Sequence, residues 1–211
     1  MKTQHHAGRL WLEWTLATLV GYAAGILIVL PWTINLAYAG QPEVLIGVAS
    51  GVVWGAAVGI AQWLVLRRHA WQVAGWWVVA TVAGAMLGLG LGMALAQAVN
   101  LSSLMVADRG ASAFVRLLPV VLQTSLTGAV VGVVLGAAQW LVLRRSIQPA
   151  GWWIIASGLG WMIGMGLGAA LASVITTIGA LLVTGIASGA LTGLALQQLV
   201  RQEGVNRGAW A

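Results

Sequence analysis

Six long apolar stretches follow one another along the chain and leave little choice of fold. The hydrocarbon layer of a bilayer is about 30 Å thick and a helix rises about 1.5 Å per residue, so a stretch of about 20 residues crosses it once. With 60% hydrophobic and only 7% charged residues, the composition excludes an ordinary soluble domain. The sequence therefore predicts an all-α integral membrane protein with six transmembrane helices, over residues 11–30, 44–66, 73–98, 118–143, 151–172 and 180–200.

The prolines mark expected helix ends, because proline removes a backbone donor from the helical ladder. Four prolines lie close to the ends of the predicted spans: Pro31, Pro42, Pro119 and Pro149. The last two helices are joined by the uncharged segment 173–179, so their boundary is the least marked.

The basic residues predict an orientation. An even number of spans puts both termini on one side, together with most of the ten basic residues: Lys2, Arg9, Arg67, Arg68, Arg144, Arg145, Arg201 and Arg207. Arg109 and Arg116 lie on the other side. Loops rich in lysine and arginine stay on the cytoplasmic side of a membrane, which predicts cytoplasmic termini in a cell inner (plasma) membrane.

The first span also fits a secretory signal peptide with a small-residue cleavage site at 37–39, but its pattern is shared with later helices, which favours a retained span.

An internal repeat is the most specific pattern in the chain. Three glycines spaced by four and the run Gln-Trp-Leu-Val-Leu-Arg-Arg fill residues 51–68 and return at 128–145. Gly-Trp-Trp follows each copy, at 75–77 and 151–153, and spaced glycines come after it. A fainter third copy lies in the first and last spans, with Leu196 at the glutamine offset. The repeat predicts a single membrane domain, 1–211, built from three helical hairpins with pseudo-repeat symmetry, over about 11–66, 73–143 and 151–200.

Glycine at every fourth position forms a stripe along one helix face. Such stripes let helix backbones approach closely in lipid, so we expect them to be packing surfaces. The alternative is a flat groove that holds a planar or rod-like ligand such as a lipid, a quinone or a carotenoid. The glycines concerned are Gly51, Gly55, Gly59, Gly84, Gly88, Gly92, Gly128, Gly132, Gly136, Gly160, Gly164, Gly168, Gly185, Gly189 and Gly193.

Tryptophans beside arginine pairs predict an interfacial belt. Indoles prefer the membrane–water boundary, and arginine pairs there set topology or bind anionic lipid headgroups. The residues assigned to this belt are Arg67, Arg68, Arg144, Arg145, Trp63, Trp76, Trp77, Trp140, Trp152 and Trp153. Trp54 and Trp161 fall inside apolar runs, and the sequence assigns them no role.

Polar groups within the predicted spans are few. Gln62 and Gln139 occupy equivalent repeat positions about one turn inside the basic boundary, where amides join helices or, alternatively, line a small pore. Glu13 follows Arg9 by four residues, the spacing of an ordinary interfacial ion pair. His69 is expected to be a solvated loop residue, because its counterpart in the second copy is Ser146.

Several chemistries are excluded by what the sequence lacks. Without cysteine there is no disulfide, thiolate or cysteine-bound metal centre, and no nucleotide-binding or hydrolase motif is present. We therefore expect no catalytic residue, no metal site, no certain cofactor and no enzyme activity. Nucleic acid is not an expected partner, since basic loops account for the net charge of +6.

The tandem Gln-Trp-Leu-Val-Leu-Arg-Arg and Gly-Trp-Trp motifs resemble a group of bacterial multi-pass membrane proteins, associated with phototrophic lineages, for which no activity is established. The resemblance covers most of residues 44–170 and implies glycine-rich helical hairpins, without a catalytic residue. The threefold hairpin layout is also similar to that of mitochondrial-type carriers, but their proline–acidic–basic signatures are missing.

Two functions remain open from the sequence. The first is a non-enzymatic structural, assembly or accessory subunit of a larger membrane complex, respiratory or photosynthetic, with lipid and other membrane subunits as partners. The alternative is a small channel or transporter built from the repeated hairpins. A water-filled path reaching Gln62 and Gln139 would favour the alternative.

Overall fold

The computed structural model describes residues 2–69, 75–99, 112–146, 150–172 and 174–208, and the fold consists there of six α-helices. All six are long and apolar enough to cross a membrane, so the prediction of an all-α, six-span membrane protein is confirmed. The helices are α1 (Lys2–Tyr38), α2 (Glu43–Arg68), α3 (Trp76–Val99), α4 (Ala113–Leu143), α5 (Trp152–Leu171) and α6 (Thr177–Gly208). Arg109 and Pro149 lie outside the described residues, as do the side chains of Lys2 and Arg207.

Two prolines do not end helices as predicted. Pro31 lies inside α1, which continues to Tyr38, and Pro119 lies inside α4, which begins at Ala113. A helix that stopped within lipid would leave backbone groups unpaired, and this cost exceeds the loss of one bond at a proline. Pro42 does lie at a boundary, since it immediately precedes α2.

The six helices close into a ring. Each helix packs on the next one in the chain, and α6 packs on α1. We call the end of the ring where α1, α3 and α5 begin and α2, α4 and α6 end the basic end, because Arg9, Arg67, Arg144 and Arg201 belong to it. The opposite end is the far end.

A glycine stripe lies at every joint of the ring, and each helix turns its stripe toward the helix that follows. A methyl group added to Gly84 of α3 would come within 2.8 Å of the α-carbon of Leu135 on α4. At the joint that closes the ring, a methyl group on Gly189 of α6 would come within 3.0 Å of the β-carbon of Thr18 on α1. The distance at Gly84 is shorter than real β-carbons show, so only glycine fits there, and the distance at Gly189 is tight enough that a neighbouring group would have to shift.

The same relation holds around the whole ring. The glycines of the even helices contact the next hairpin, and those of the odd helices contact the second helix of their own hairpin. The stripes are Gly21 and Gly25 on α1, Gly51, Gly55 and Gly59 on α2, Gly84, Gly88 and Gly92 on α3, Gly128, Gly132 and Gly136 on α4, Gly160, Gly164 and Gly168 on α5, and Gly185, Gly189 and Gly193 on α6.

Candidate functional site

Three tryptophans from the three hairpins meet on the axis of the ring, near the basic end. Trp14, Trp77 and Trp153 pack edge to face, with ring centroids 5.8, 5.7 and 6.0 Å apart, and all three are buried. The assignment of Trp77 and Trp153 to the lipid interface is therefore corrected. Adjacent residues point about 100° apart on a helix, so only one tryptophan of each Gly-Trp-Trp can face lipid. Trp76 and Trp152, which are 61% and 65% exposed, take that position.

Gln62 joins the first two hairpins beneath this tryptophan layer. Its Nε2 donates to the Thr18 hydroxyl at 3.0 Å, and its Oε1 accepts from the indole nitrogen of Trp77 at 3.3 Å. The amide thus bonds one residue of its own hairpin and one of the next. Helix α2 is held to both of its neighbours by one buried side chain.

Gln139 repeats this arrangement one hairpin later. Its Nε2 donates to the Thr81 hydroxyl at 3.0 Å, and its Oε1 accepts from Trp153 Nε1 at 3.0 Å. Its Nε2 also lies 3.4 Å from the Oε1 of Gln62, which links the two amides across the axis. The polar groups of this layer therefore bond one another rather than line an open path.

The third hairpin lacks the glutamine, and the structure shows the consequence. Leu196 occupies the position of Gln62 and Gln139, and its side chain is fully buried. The serine at the threonine position, Ser157, has a buried hydroxyl with no hydrogen-bond partner among the residues the structure describes. Trp14, deprived of an amide oxygen, donates instead to the Thr192 hydroxyl at 3.1 Å. Each even helix thus makes one such side-chain joint with its two neighbours, distinct from the six glycine joints of the ring. The joints at Gln62 and Gln139 are bonded alike, and the third, at Leu196, is incomplete.

A second aromatic cluster lies further toward the far end, where the sequence assigned no role. Tyr22, Trp54 and Trp161 pack together, with centroids 5.6, 5.7 and 4.9 Å apart. Both tryptophans are buried, so neither is a lipid-facing residue. The Trp54 indole nitrogen is buried and finds no acceptor within the described part of the chain.

A charged cluster ties α1 to α2 at the basic end. Glu13 accepts from Arg9 Nε at 2.7 Å, so the predicted pair is present. Glu13 also lies 3.0 Å from His69 Nε2. His69, expected in solvent, is instead only about one quarter exposed because it packs back toward this carboxylate. The cluster stabilises the contact between the start of one helix and the end of the next.

The first arginine of each arginine pair stacks on a tryptophan of its own helix. Arg67 stacks over Trp63 with 4.7 Å from the guanidinium carbon to the ring centroid, and Arg144 stacks over Trp140 at 4.9 Å. In each stack the tryptophan and the arginine are four residues apart, about one helical turn, and the two stacks lie at equivalent repeat positions. A cation over an indole face at the membrane boundary is favourable, and it fixes these two arginines to their own helices. All four arginines of the two pairs are exposed.

The glycine faces do not form ligand grooves in this structure. Each stripe is covered by the neighbouring helix, so a lipid, quinone or carotenoid on these faces would have to displace that helix. Among the residues that the structure describes, no group of three metal-ligating side chains is found. A partly open space of about 160 Å³ lies on the axis of the ring beside the second aromatic cluster, and spaces of about 200 to 360 Å³ lie elsewhere in the described part of the chain.

The sequence contains a signal for the tryptophan layer that its interpretation as an interfacial belt missed. Trp14, Trp77 and Trp153 hold the same offset from the glycine stripe of their helices, and a threonine or serine follows each by four residues. A position retained in every copy of a ring points to the axis that the copies share.

No family model matches the chain, and no curated protein or solved structure shows significant similarity to it. The resemblance to bacterial hairpin-repeat proteins stays a prediction. The sequence and the structure together show a multi-pass integral membrane protein whose six apolar helices contact lipid and enclose two buried aromatic clusters.

Proposed function

We propose that this protein is a non-enzymatic scaffold, an accessory or assembly subunit of a larger membrane complex, with both termini in the cytoplasm. The observation that carries the proposal is the closed layer of Trp14, Trp77 and Trp153. Three indoles in mutual contact fill the axis of the ring, and the amides beside them are bonded to hydroxyls and indoles. Such an interior favours a rigid body over a conducting one.

The layer also weighs against the channel hypothesis. A water path along the axis needs polar groups free to hydrate a solute. Gln62 and Gln139 are 5% and 2% exposed, and both use their amides in bonds between helices. Opening a path would require breaking those bonds and separating three packed indoles.

The outer surface supports a role in assembly. It presents large apolar side chains along all six helices and two exposed tryptophans, Trp76 and Trp152, near the basic end. Aromatic residues are enriched at protein interfaces because they bury a large area at a small entropic cost. These two positions are equivalent in the repeat, so they offer one kind of contact at two places around the ring.

The test is extraction from native membranes in mild detergent, followed by native gel electrophoresis, an absorption spectrum and mass spectrometry of the same band. We expect the protein to migrate with a larger complex and other membrane subunits. A double variant, Trp76→Ala with Trp152→Ala, should release it from that complex, whereas Gly151→Ala should not, because a methyl group there meets no atom within 4 Å. A band containing only this protein would overturn the proposal and make ion flux in liposomes the next measurement.

A further inference from the structure

Two grooves on the outer surface lie at equivalent places of the repeat, near the basic end. One lies between α3 and α4 and has a volume of about 230 Å³, and the other lies between α5 and α6 and has a volume of about 360 Å³. An exposed tryptophan at the start of the odd helix forms one wall of each, Trp76 in the first and Trp152 in the second. Small side chains leave the space between the helices open, Ala80 and Ala138 in the first groove and Ala156 and Ala195 in the second.

The α3–α4 groove reaches from the hydrocarbon layer to the level of the headgroups. Helix α3 begins at Trp76 and has 24 residues, so it is about 36 Å long and exceeds a hydrocarbon layer of about 30 Å. Exposed aliphatic side chains line the groove, among them Val79 and Leu141. Arg145 also lines it, two residues beyond the end of α4. The groove therefore offers an apolar surface to an acyl chain and a positive charge where the phosphate of a lipid lies.

One position distinguishes the two grooves. Arg145 is exposed and forms no ion pair within the described part of the chain, and it is not the arginine that stacks on Trp140. The equivalent position in the α5–α6 groove is Gln202, which lines that groove and carries no charge. The two grooves thus share a shape and differ in charge.

The first hairpin differs at the other wall. It has an arginine at the equivalent position, Arg68, but Glu13 stands where the other two hairpins have an exposed tryptophan. A carboxylate opposes the binding of an anion and lacks the apolar surface of an indole. Of the three equivalent places around the ring, only the one between α3 and α4 combines the tryptophan with the arginine.

We propose that the α3–α4 groove binds one anionic phospholipid, with an acyl chain along its apolar floor beside Trp76 and the phosphate next to Arg145. Basic pockets between transmembrane helices bind anionic headgroups, and indoles favour this level of the bilayer. The groove opens on the surface that contacts lipid, so a phospholipid reaches it without displacing a helix. The proposal does not rest on the scaffold role, because its test uses the protein without partner subunits.

The experiment uses two lipids with the same acyl chains, dioleoylphosphatidylglycerol and dioleoylphosphatidylcholine, which differ in the net charge of the headgroup. Binding to the purified full-length protein in detergent micelles is measured by native mass spectrometry, which counts bound lipids and gives the affinity of each. Arg145→Gln makes the groove like its α5–α6 counterpart, and Arg68→Gln is the matched control with the same change of charge in the first hairpin.

Two further variants test the two parts of the groove. Gln202→Arg gives the α5–α6 groove the charge that it lacks. Ala83→Leu fills the α3–α4 groove, which Ala83 lines, with the residue that α5 carries at the equivalent position, Leu159. Leu159 is about half exposed, so the ring accommodates leucine at this position. Circular dichroism of each variant establishes that it is folded.

We expect the wild type to bind its first phosphatidylglycerol about five-fold more tightly than phosphatidylcholine, the contribution of one arginine near an anionic headgroup. Arg145→Gln should abolish this preference and Arg68→Gln should preserve it. Gln202→Arg should add a second phosphatidylglycerol site of similar affinity, and Ala83→Leu should weaken the first site for both lipids.

Three results would overturn the proposal. If Arg145→Gln keeps the preference, or if Arg68→Gln removes it equally, the lipid responds to the overall charge of the protein rather than to this groove. If Ala83→Leu leaves the binding of both lipids unchanged, the acyl chain lies elsewhere. If Gln202→Arg adds no site, a tryptophan and an arginine across such a groove do not suffice for selection.

Discussion

The incomplete third joint makes a repair experiment possible. Leu196→Gln places an amide where the other two even helices carry one. By analogy with those copies, its Nε2 would donate to the unpaired Ser157 hydroxyl and its Oε1 would accept from Trp14 Nε1. The indole would give up its present bond to Thr192, whose hydroxyl also donates to the Ser188 carbonyl at 2.7 Å and so keeps a partner.

The size of the effect follows from this exchange. A side-chain hydrogen bond between membrane helices is worth about 0.6 kcal/mol on average. Two such bonds form and one is lost, and pairing the buried Ser157 hydroxyl removes a penalty of about 1 kcal/mol or more. Glutamine and leucine are similar in volume, so the packing term is small. We expect a gain of about 1 to 2 kcal/mol in the free energy of unfolding.

The reverse substitution is the matched control. Gln139→Leu recreates the third joint in the second hairpin. It leaves the Trp153 indole without an acceptor, whereas the Thr81 hydroxyl loses the amide but keeps its bond to the Trp77 carbonyl at 2.8 Å. The buried indole left unpaired costs about 1 to 3 kcal/mol, and the lost bond to Thr81 costs about 0.6 kcal/mol. We expect a loss of about 2 to 4 kcal/mol, opposite in sign to the repair.

The assay is reversible unfolding in mixed micelles of a mild detergent and dodecyl sulfate, followed by circular dichroism. Ser157→Ala completes a double-mutant cycle. In the wild type it should raise the free energy of unfolding by about 1 kcal/mol, because it removes the unpaired hydroxyl. In the Leu196→Gln background it should lower that free energy by about 0.6 kcal/mol, because it removes a bond between helices. If Leu196→Gln destabilises the protein, or if Ser157→Ala has the same effect in both backgrounds, the reasoning from the repeat is refuted.

Three further predictions test the packing and the orientation. Gly51→Val should prevent α2 from closing on α3, since even a methyl group there would lie 2.5 Å from an α-carbon, whereas Gly151→Ala should leave the thermal unfolding temperature unchanged. Trp77→Ala should cost about 3 to 5 kcal/mol, as removal of a buried indole does, and Trp76→Ala should cost less than about 1 kcal/mol, which the same unfolding assay measures. Because the chain has no cysteine, Ser146→Cys gives a single thiol at the basic end, and an impermeant maleimide should label it only after the cytoplasmic side is opened.

The fold was largely predictable from the sequence because the bilayer restricts it. Apolar length alone specified six helices, and the glycine spacing indicated close helix packing. Helix ends were less predictable at Pro31 and Pro119, since a local rule about proline competes with the cost of unpaired backbone in lipid.

The interior was less predictable, for a physical reason. Periodicity tells that Trp76 and Trp77 point in different directions, but it does not tell which one faces lipid, because an indole is stable both at the boundary and in a packed core. Closure of the ring by α6 and α1 decides the question. Only when six helices surround one axis do Trp77 and its two counterparts meet. The pattern within one hairpin does not contain that information, and only the comparison of all three copies distinguishes the two positions, because Trp76 corresponds to Glu13 in the first copy.

The joint between α6 and α1 has a consequence for how such a molecule can arise. It is the one joint in the ring made by helices at opposite ends of the chain, and glycines line it as they line the joints of α2 with α3 and α4 with α5. Its helices approach less closely, since a methyl group on Gly189 would lie 3.0 Å from the nearest atom, against 2.5 Å for Gly51. This joint forms without a peptide link between its two helices, and three separate copies of one hairpin have the same kind of joint open to them. The present chain then corresponds to a fused trimer. In a single chain each copy can differ from the others, and the missing glutamine and the unequal residues of the second aromatic cluster are differences that a symmetric trimer of identical chains could not carry.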